Sequence, residues 1–274
     1  MHMTWFQSYD KNKLISLNFY LVLLAVVLVL VLHSDQDNQN AYAHATPISY
    51  SPASDSVIEA DGTLPDEVVI TYSERPEPKA SYIRVTNSAG ERIDSNDYKI
   101  SDTNARESSV SIDTSKFAPG IYTVSWLALS KDDGHITKGS YVFTVAAASA
   151  SSTATTNGTT VTNTFEDSII VDNINVTYSI SPFYSGANNN FTVALSDSNG
   201  NPPTNIKTVF LIFNNEQAGL GPISAELMKI GEGQYSGSGG YLSQPGEWEV
   251  KITVQRTDAY DLNHSFTFDI KNPP

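Results

Sequence analysis

From residue 44 onward, apolar and polar side chains alternate in short runs, and no stretch keeps a helical stripe over three turns. VVITY (Val68–Tyr72), SYIRVTN (Ser81–Asn87), SSVSID (Ser108–Asp113), IYTVSWLAL (Ile121–Leu129) and SYVFTV (Ser140–Val145) show the period of two that sends alternate side chains to one face of a strand. Turn chemistry separates these runs at Asp61-Gly62, Ala89-Gly90, Pro119-Gly120 and Asp133-Gly134. A second set runs between Ile169 and Ile270, with INVTYSI, NFTVALSD, TVFLIFN, QYSGSGGYL, EWEVKITVQR and SFTFDI. Short strands at regular spacing predict an all-β chain built as sandwiches or barrels. Tyr122, Trp126, Tyr141 and Phe143 fall on alternating positions and are expected in the first core. Trp248 and Tyr235 are expected in the second. GEGQYSGSGGYL (Gly231–Leu242) lacks the strand-to-helix setting of a phosphate loop and reads as a glycine-rich hairpin.

Between the two sets lies AAASASSTATTNGTTVTNT (Ala146–Thr164), which holds almost no large apolar side chain. Such a stretch cannot bury enough surface to offset its ordering entropy, so it reads as a flexible linker. The expected organisation is 1–43 as a signal or anchor, 44–146 as a first sandwich, 147–165 as linker and 166–274 as a second sandwich. At the N-terminus, Lys11 and Lys13 precede an apolar segment from Leu14 to Leu32, followed by Ala41-Tyr42-Ala43. A basic flank, an apolar run and an A-x-A site make a secretory signal cut after Ala43. The run is also close to the ~20 residues of a spanning helix, so an uncleaved membrane anchor through residues 14–32 is the alternative. Both outcomes place the remainder outside the cytoplasm.

Composition narrows the chemistry. With 30 acidic and 16 basic side chains, the formal net charge is −14. That excludes nucleic acid as a partner, because such binding rests on Lys and Arg neutralising phosphates. It leaves cations as a theme. Cysteine is absent, which removes disulfides, thiolate metal sites and a thiol nucleophile. Sequons at Asn157, Asn175, Asn190 and Asn263 become relevant in an exported chain.

The chain has five histidines, and cleavage after Ala43 leaves His44, His135 and His264. His44 would then be residue one, with a free α-amine and an imidazole in one chelate ring. A second imidazole and a carboxylate complete a tetragonal N/O donor set, which suits Cu(II). In Asp133-Gly134-His135, positions i and i+2 share a face at the entry to a strand, so one turn can supply both remaining ligands. The same residues read otherwise as a solvated hairpin turn, and spacing alone does not bring 44 and 135 together. Asp258, Asp261 and His264 in RTDAYDLNHSF form a second, weaker cation candidate, otherwise a solvated loop.

HATPISYSPAS, VVITYSERPEPKASYIRVTNSAGERI and APGIYTVSWLALSKDDGHITKGSYVFTV together resemble the CopC family of extracytoplasmic copper-binding proteins. The last segment carries the family's ordered Pro-Gly-x-Tyr-x-Val-x-Trp and Asp-Gly-His signatures. The resemblance implies a Cu(II) site made by the amine and imidazole of His44, the carboxylate of Asp133 and the imidazole of His135. Ser130-Lys131-Asp132-Asp133 is one residue longer than the family spacing, which makes Asp132 a rival to Asp133. Only Met228 remains beyond the signal, so a thioether Cu(I) site is not expected. The second set of strands is similar to the extracytoplasmic tail of CopC–CopD fusions, which implies a CopD-like membrane copper permease as partner. The implied fold is a tandem of Ig-like/cupredoxin-like Greek-key β-sandwiches. The implied function is copper sequestration or delivery without catalysis. A metal-free adhesive tandem and a histidine-brace copper oxidase are the competing readings.

Overall fold

The computed structural model describes residues 44–60, 62–147 and 163–274. These residues are all-β, with one turn of 3-10 helix at Thr114–Lys116. The expected signal or anchor (1–43) and most of the expected linker lie outside them. Among the described residues no helix is long and apolar enough to cross a membrane.

The first set of strands is β1 (Pro47–Ser51), β2 (Val57–Glu59), β3 (Glu67–Tyr72), β4 (Tyr82–Asn87), β5 (Lys99–Ile100), β6 (Glu107–Ser111), β7 (Gly120–Leu129) and β8 (Ile136–Ala146). They form two four-stranded sheets, ordered β1-β3-β6-β5 and β2-β8-β7-β4. Their inner faces meet in a core that includes Val68, Ile70, Tyr72, Tyr122, Trp126 and Phe143, all buried. The expected aromatic core is thus in place: Trp126 packs edge-on to Tyr72, and Tyr122 stacks on Phe143. β7 and β8 pair without a break from Gly120↔Val145 to Leu129↔Ile136, which makes this hairpin the longest ladder of the first set.

The second set is β9 (Phe165–Val171), β10 (Ile174–Ser181), β11 (Asn189–Asp197), β12 (Ile206–Asn215), β13 (Leu220–Gly231), β14 (Gln234–Gly239), β15 (Gly246–Arg256) and β16 (Leu262–Ile270). Hydrogen bonds run through it in the order β16-β15-β12-β13-β14-β11-β10-β9. β13 turns the corner: its first part pairs with β12 and its last residues with β14, which is how one strand serves two packed layers. Phe191 of β11 meets Phe213 of β12, and Tyr178 of β10 stacks on Phe266 of β16 across the core. Trp248 is fully buried and donates its indole N–H to Gln244 O at 2.9 Å. The Gly231–Leu242 stretch is a hairpin only at Glu232-Gly233; from Gln234 to Gly239 it is strand β14.

The two sets pack on each other. Both faces of β7 and β8 are covered, so their residues are buried almost continuously rather than alternately. Ile121 and Val142, on the outer face, join the core of the second set. Polar contacts surround them: Thr123 Oγ1 donates to Ser243 Oγ at 2.6 Å, Gly221 N to Ser140 Oγ at 2.9 Å, and Gln244 Nε2 to Thr86 Oγ1 at 2.9 Å. Gly240 fits because it has no side chain; a Cβ there would lie 2.4 Å from Ile121 Cδ1. Gly240→Ala is therefore expected to destabilise the protein by about 1–3 kcal/mol through overpacking. Denaturant unfolding of the two proteins measures it, and equal midpoints would mean the sheets are not in contact here.

Candidate metal centre

The β7–β8 hairpin closes through Ser130–His135. Ser130 N donates to His135 O at 2.8 Å and Gly134 N to Ser130 O at 3.0 Å. Gly134 has φ +76°, a left-handed conformation that glycine adopts without penalty. Ser130, almost fully buried, organises the turn: its Oγ accepts from Asp132 N and Asp133 N, both at 3.1 Å, and donates to Glu74 Oε2 at 2.5 Å. Asp133 Oδ1 then accepts from His135 N at 2.9 Å, an Asx-type closure that leaves Oδ2 free to face outward.

His44 arrives from the other end of the sequence. Ala45 is fully buried and acts as a plug, with Thr137 Oγ1 donating to its carbonyl at 2.6 Å. Ser73 holds the same arm, accepting from Thr46 N at 2.9 Å and donating from Oγ to His44 O at 2.7 Å. The result is a convergence on one oxygen. His44 Nδ1 and His135 Nδ1 each lie 3.1 Å from Asp133 Oδ2, and the two rings are 4.7 Å apart at their centroids. One donor atom from each of the three residues falls within a 4.8 Å circle. The side chains of His44 and His135 are 49% and 65% exposed, so an ion can enter directly from solvent.

The arrangement fits a first-row divalent ion. Metal–donor bonds of about 2.0–2.2 Å place neighbouring donors at right angles roughly 2.8–3.1 Å apart, the spacing seen from each imidazole to the carboxylate. Asp133 is also in the correct charge state. The hydrogen bond from the His135 backbone, helped by His44 and Ser130, pulls its carboxyl down to about 2.

The other candidates part company here. Asp132 does not face the imidazoles: its carboxylate accepts from Arg75 through Nε, Nη2 and the backbone N–H. Those bonds hold its pKa below the usual carboxylate range. Asp258, Asp261 and His264 form no ligand group among the described residues, and the His264 ring lies edge-on to Phe266. Sequence reasoning passed over the segment Ser73–Glu77, which ties both arms together. Ser73 holds the His44 arm and Glu74 holds Ser130, while Lys131 N donates to Arg75 O and Glu77 N to Leu129 O, each at 2.8 Å. The signal available was the polar, proline-broken SERPEP that follows the alternating strand VVITY.

With this geometry in view, the family comparison has a decisive answer: residues 48–146 match the family model described as the CopC domain. Residues 48–146 are a CopC domain. Asp133 and His135 lie inside the matched span, and His44 lies just before it. Among solved structures, the chain is similar to CopC from Methylosinus trichosporium OB3b, at 28% identity over 39% of this chain and 98% of that one, with a TM-score of 0.35. It is also similar to PcoC, a methionine-rich copper resistance protein from Escherichia coli, at 24% identity over 37% and 98%, with a TM-score of 0.30. Fibronectin(III)-like modules of Clostridium thermocellum CbhA align at 15% identity over 81% and 92%, with a TM-score of 0.23. A search of curated proteins gave no match.

Two outcomes follow for the turn of the CopC domain. Ser130→Ala removes the acceptor for two amides and should cost about 1–3 kcal/mol, with faster hydrogen exchange at the Asp133 amide as its local sign. The depressed Asp133 pKa means its stabilisation is complete above its unfolded value near 4 and is lost as pH falls through about 2. A carboxyl titration by NMR reads this directly, and a midpoint near 4 for Asp133 would refute it.

Proposed function

We propose that this protein binds Cu(II) outside the cytoplasm through His44, Asp133 and His135, and buffers or delivers the ion without catalysing a reaction on it. The observation that carries the reading is the meeting of His44 with Asp133, 89 residues away in sequence, around one shared carboxylate oxygen within reach of His135. Two imidazole nitrogens and a carboxylate oxygen form the mixed N/O set that Cu(II) binds most tightly among divalent first-row ions. Cleavage after Ala43 adds the α-amine of His44 as a third nitrogen, chelating together with its own imidazole. The CopC domain supports copper as the cargo, and the basic flank, apolar run and Ala41-Tyr42-Ala43 of the N-terminal sequence support an extracytoplasmic setting. A CopD-like membrane permease is the delivery partner that the sequence resemblance favours.

Asp133 is ionised down to about pH 2, so its carboxylate remains available to a cation through mild acidification. Titration of the exported chain with Cu(II) should show one tight equivalent. His135→Ala should weaken it by more than the ~100-fold seen when merely outer groups of a metal site are removed. N-terminal sequencing should read His-Ala-Thr, and a chain that retains Ala43 should bind more weakly. Absence of a saturable equivalent in the wild-type chain would sink the copper reading.

A further inference from the structure

Two aspartates stand side by side in the metal-binding turn, and they are chemically identical ligands. Only one of them faces the imidazoles. We propose that Arg75 is a positioning residue that makes this choice, holding Asp132 away so that Asp133 alone completes the site; this rests on the copper reading above.

The argument begins with the two carboxylates. Asp133 spends Oδ1 on the backbone of its own turn and turns Oδ2 toward both rings. Both oxygens of Asp132 are engaged by Arg75. Oδ1 accepts from Arg75 Nε at 2.9 Å and from Nη2, and Oδ2 accepts from Arg75 N at 3.1 Å. A guanidinium is always charged, and its planar fork fixes a carboxylate in direction as well as in place. Arg75 is itself fixed to the hairpin, since Lys131 N donates to its carbonyl and Pro76 forms an isolated bridge with Ser130. Both aspartates hang from the same anchor, because Ser130 Oγ accepts both of their amides. The two residues share one backbone anchor, and their side chains then take different partners: Asp133 turns to His135 and Asp132 to Arg75. Without the guanidinium, Asp132 would keep only the backbone N–H of residue 75 on Oδ2, and Oδ1 would be released to bind the same cation.

The test compares Cu(II) complexes of the exported chain by electron paramagnetic resonance and by affinity. The wild type should give one tetragonal species. Arg75→Ala should give two species and bind about tenfold more weakly, in the range for loss of an outer partner. Adding Asp132→Asn to Arg75→Ala should restore the single wild-type spectrum, because the rival ligand is gone. A role for Arg75 in folding alone would not be rescued in this way. Arg75→Lys keeps the charge but loses the fork, so it should show a smaller second species if Arg75→Ala fails to fold. One unchanged species in Arg75→Ala, or no rescue by Asp132→Asn, overturns the selection while leaving copper binding intact. A wild-type chain that takes up no Cu(II) overturns both.

Discussion

The pairing of β7 with β8 is the constraint on which the other features depend. Ten residues on each strand are held in unbroken register from Gly120↔Val145 to Leu129↔Ile136. One face of this ribbon presents Tyr122, Trp126, Tyr141 and Phe143 to the core of the CopC domain. The other face presents Ile121 and Val142 to the second set of strands. Its closed end carries the Ser130–His135 turn. Because side chains in a strand alternate strictly, a slip of one residue would exchange the two faces and disturb the core, the docking surface and the aim of His135 together.

Docking on this sheet explains an otherwise odd composition. The outward residues Thr123, Ser125 and Ser140 are small and hydroxylated, and all are buried. A buried hydroxyl without a partner is costly, so such a surface is stable only where the opposing chain answers it. Here it does so: Ser243 meets Thr123, Gly221 N meets Ser140, and Ser125 and Ser140 hydrogen-bond to each other. The apolar component is confined to Ile121 and Val142, with Gly240 lying against Ile121 to admit it. The second set of strands therefore packs against the sheet that bears the Ser130–His135 turn.

The strands that the sequence shows clearly are those with one wet face or with branched and aromatic residues at every second position, such as Val68–Tyr72 and Glu247–Arg256. β13 is not legible although Ile223, Ala225 and Leu227 alternate, because Gly221-Pro222 lies near its start and Ala, Glu and Lys, poor strand formers, fill much of the rest. β9 was only partly legible, since its Glu-Asp-Ser stretch lies on an exposed edge. Contact between the two sets could not be read at all: a serine facing water and a serine facing another serine look alike in a sequence. The site was half legible. Asp133-Gly134-His135 is local chemistry in a turn, whereas the arrival of His44 depends on Ala45, Thr137 and Ser73, three residues with no ligand character. Asp132 stood as a rival to Asp133 in the sequence because its partner, Arg75, lies 57 residues away.

The cluster of His44, Asp133 and His135 is assembled around a negative charge. Asp133 Oδ2 lies between two imidazoles that can each donate an Nδ1–H toward it, so the rings are aimed inward before any ion arrives. On the proposed copper reading, a divalent ion displacing those protons would meet donors already near the spacing of a coordination sphere, with little reorganisation to oppose binding. The Asp133 carboxylate would be ionised near neutral pH even with an ordinary pKa, and its hydrogen bonds extend that range into acid. It stays charged because the His135 backbone N–H, first among its partners, hydrogen-bonds to the anion and lowers its pKa to about 2. The turn that places the Asp133 carboxylate thus also lowers its pKa, and Gly134 permits both by taking a conformation that a residue with a side chain would resist.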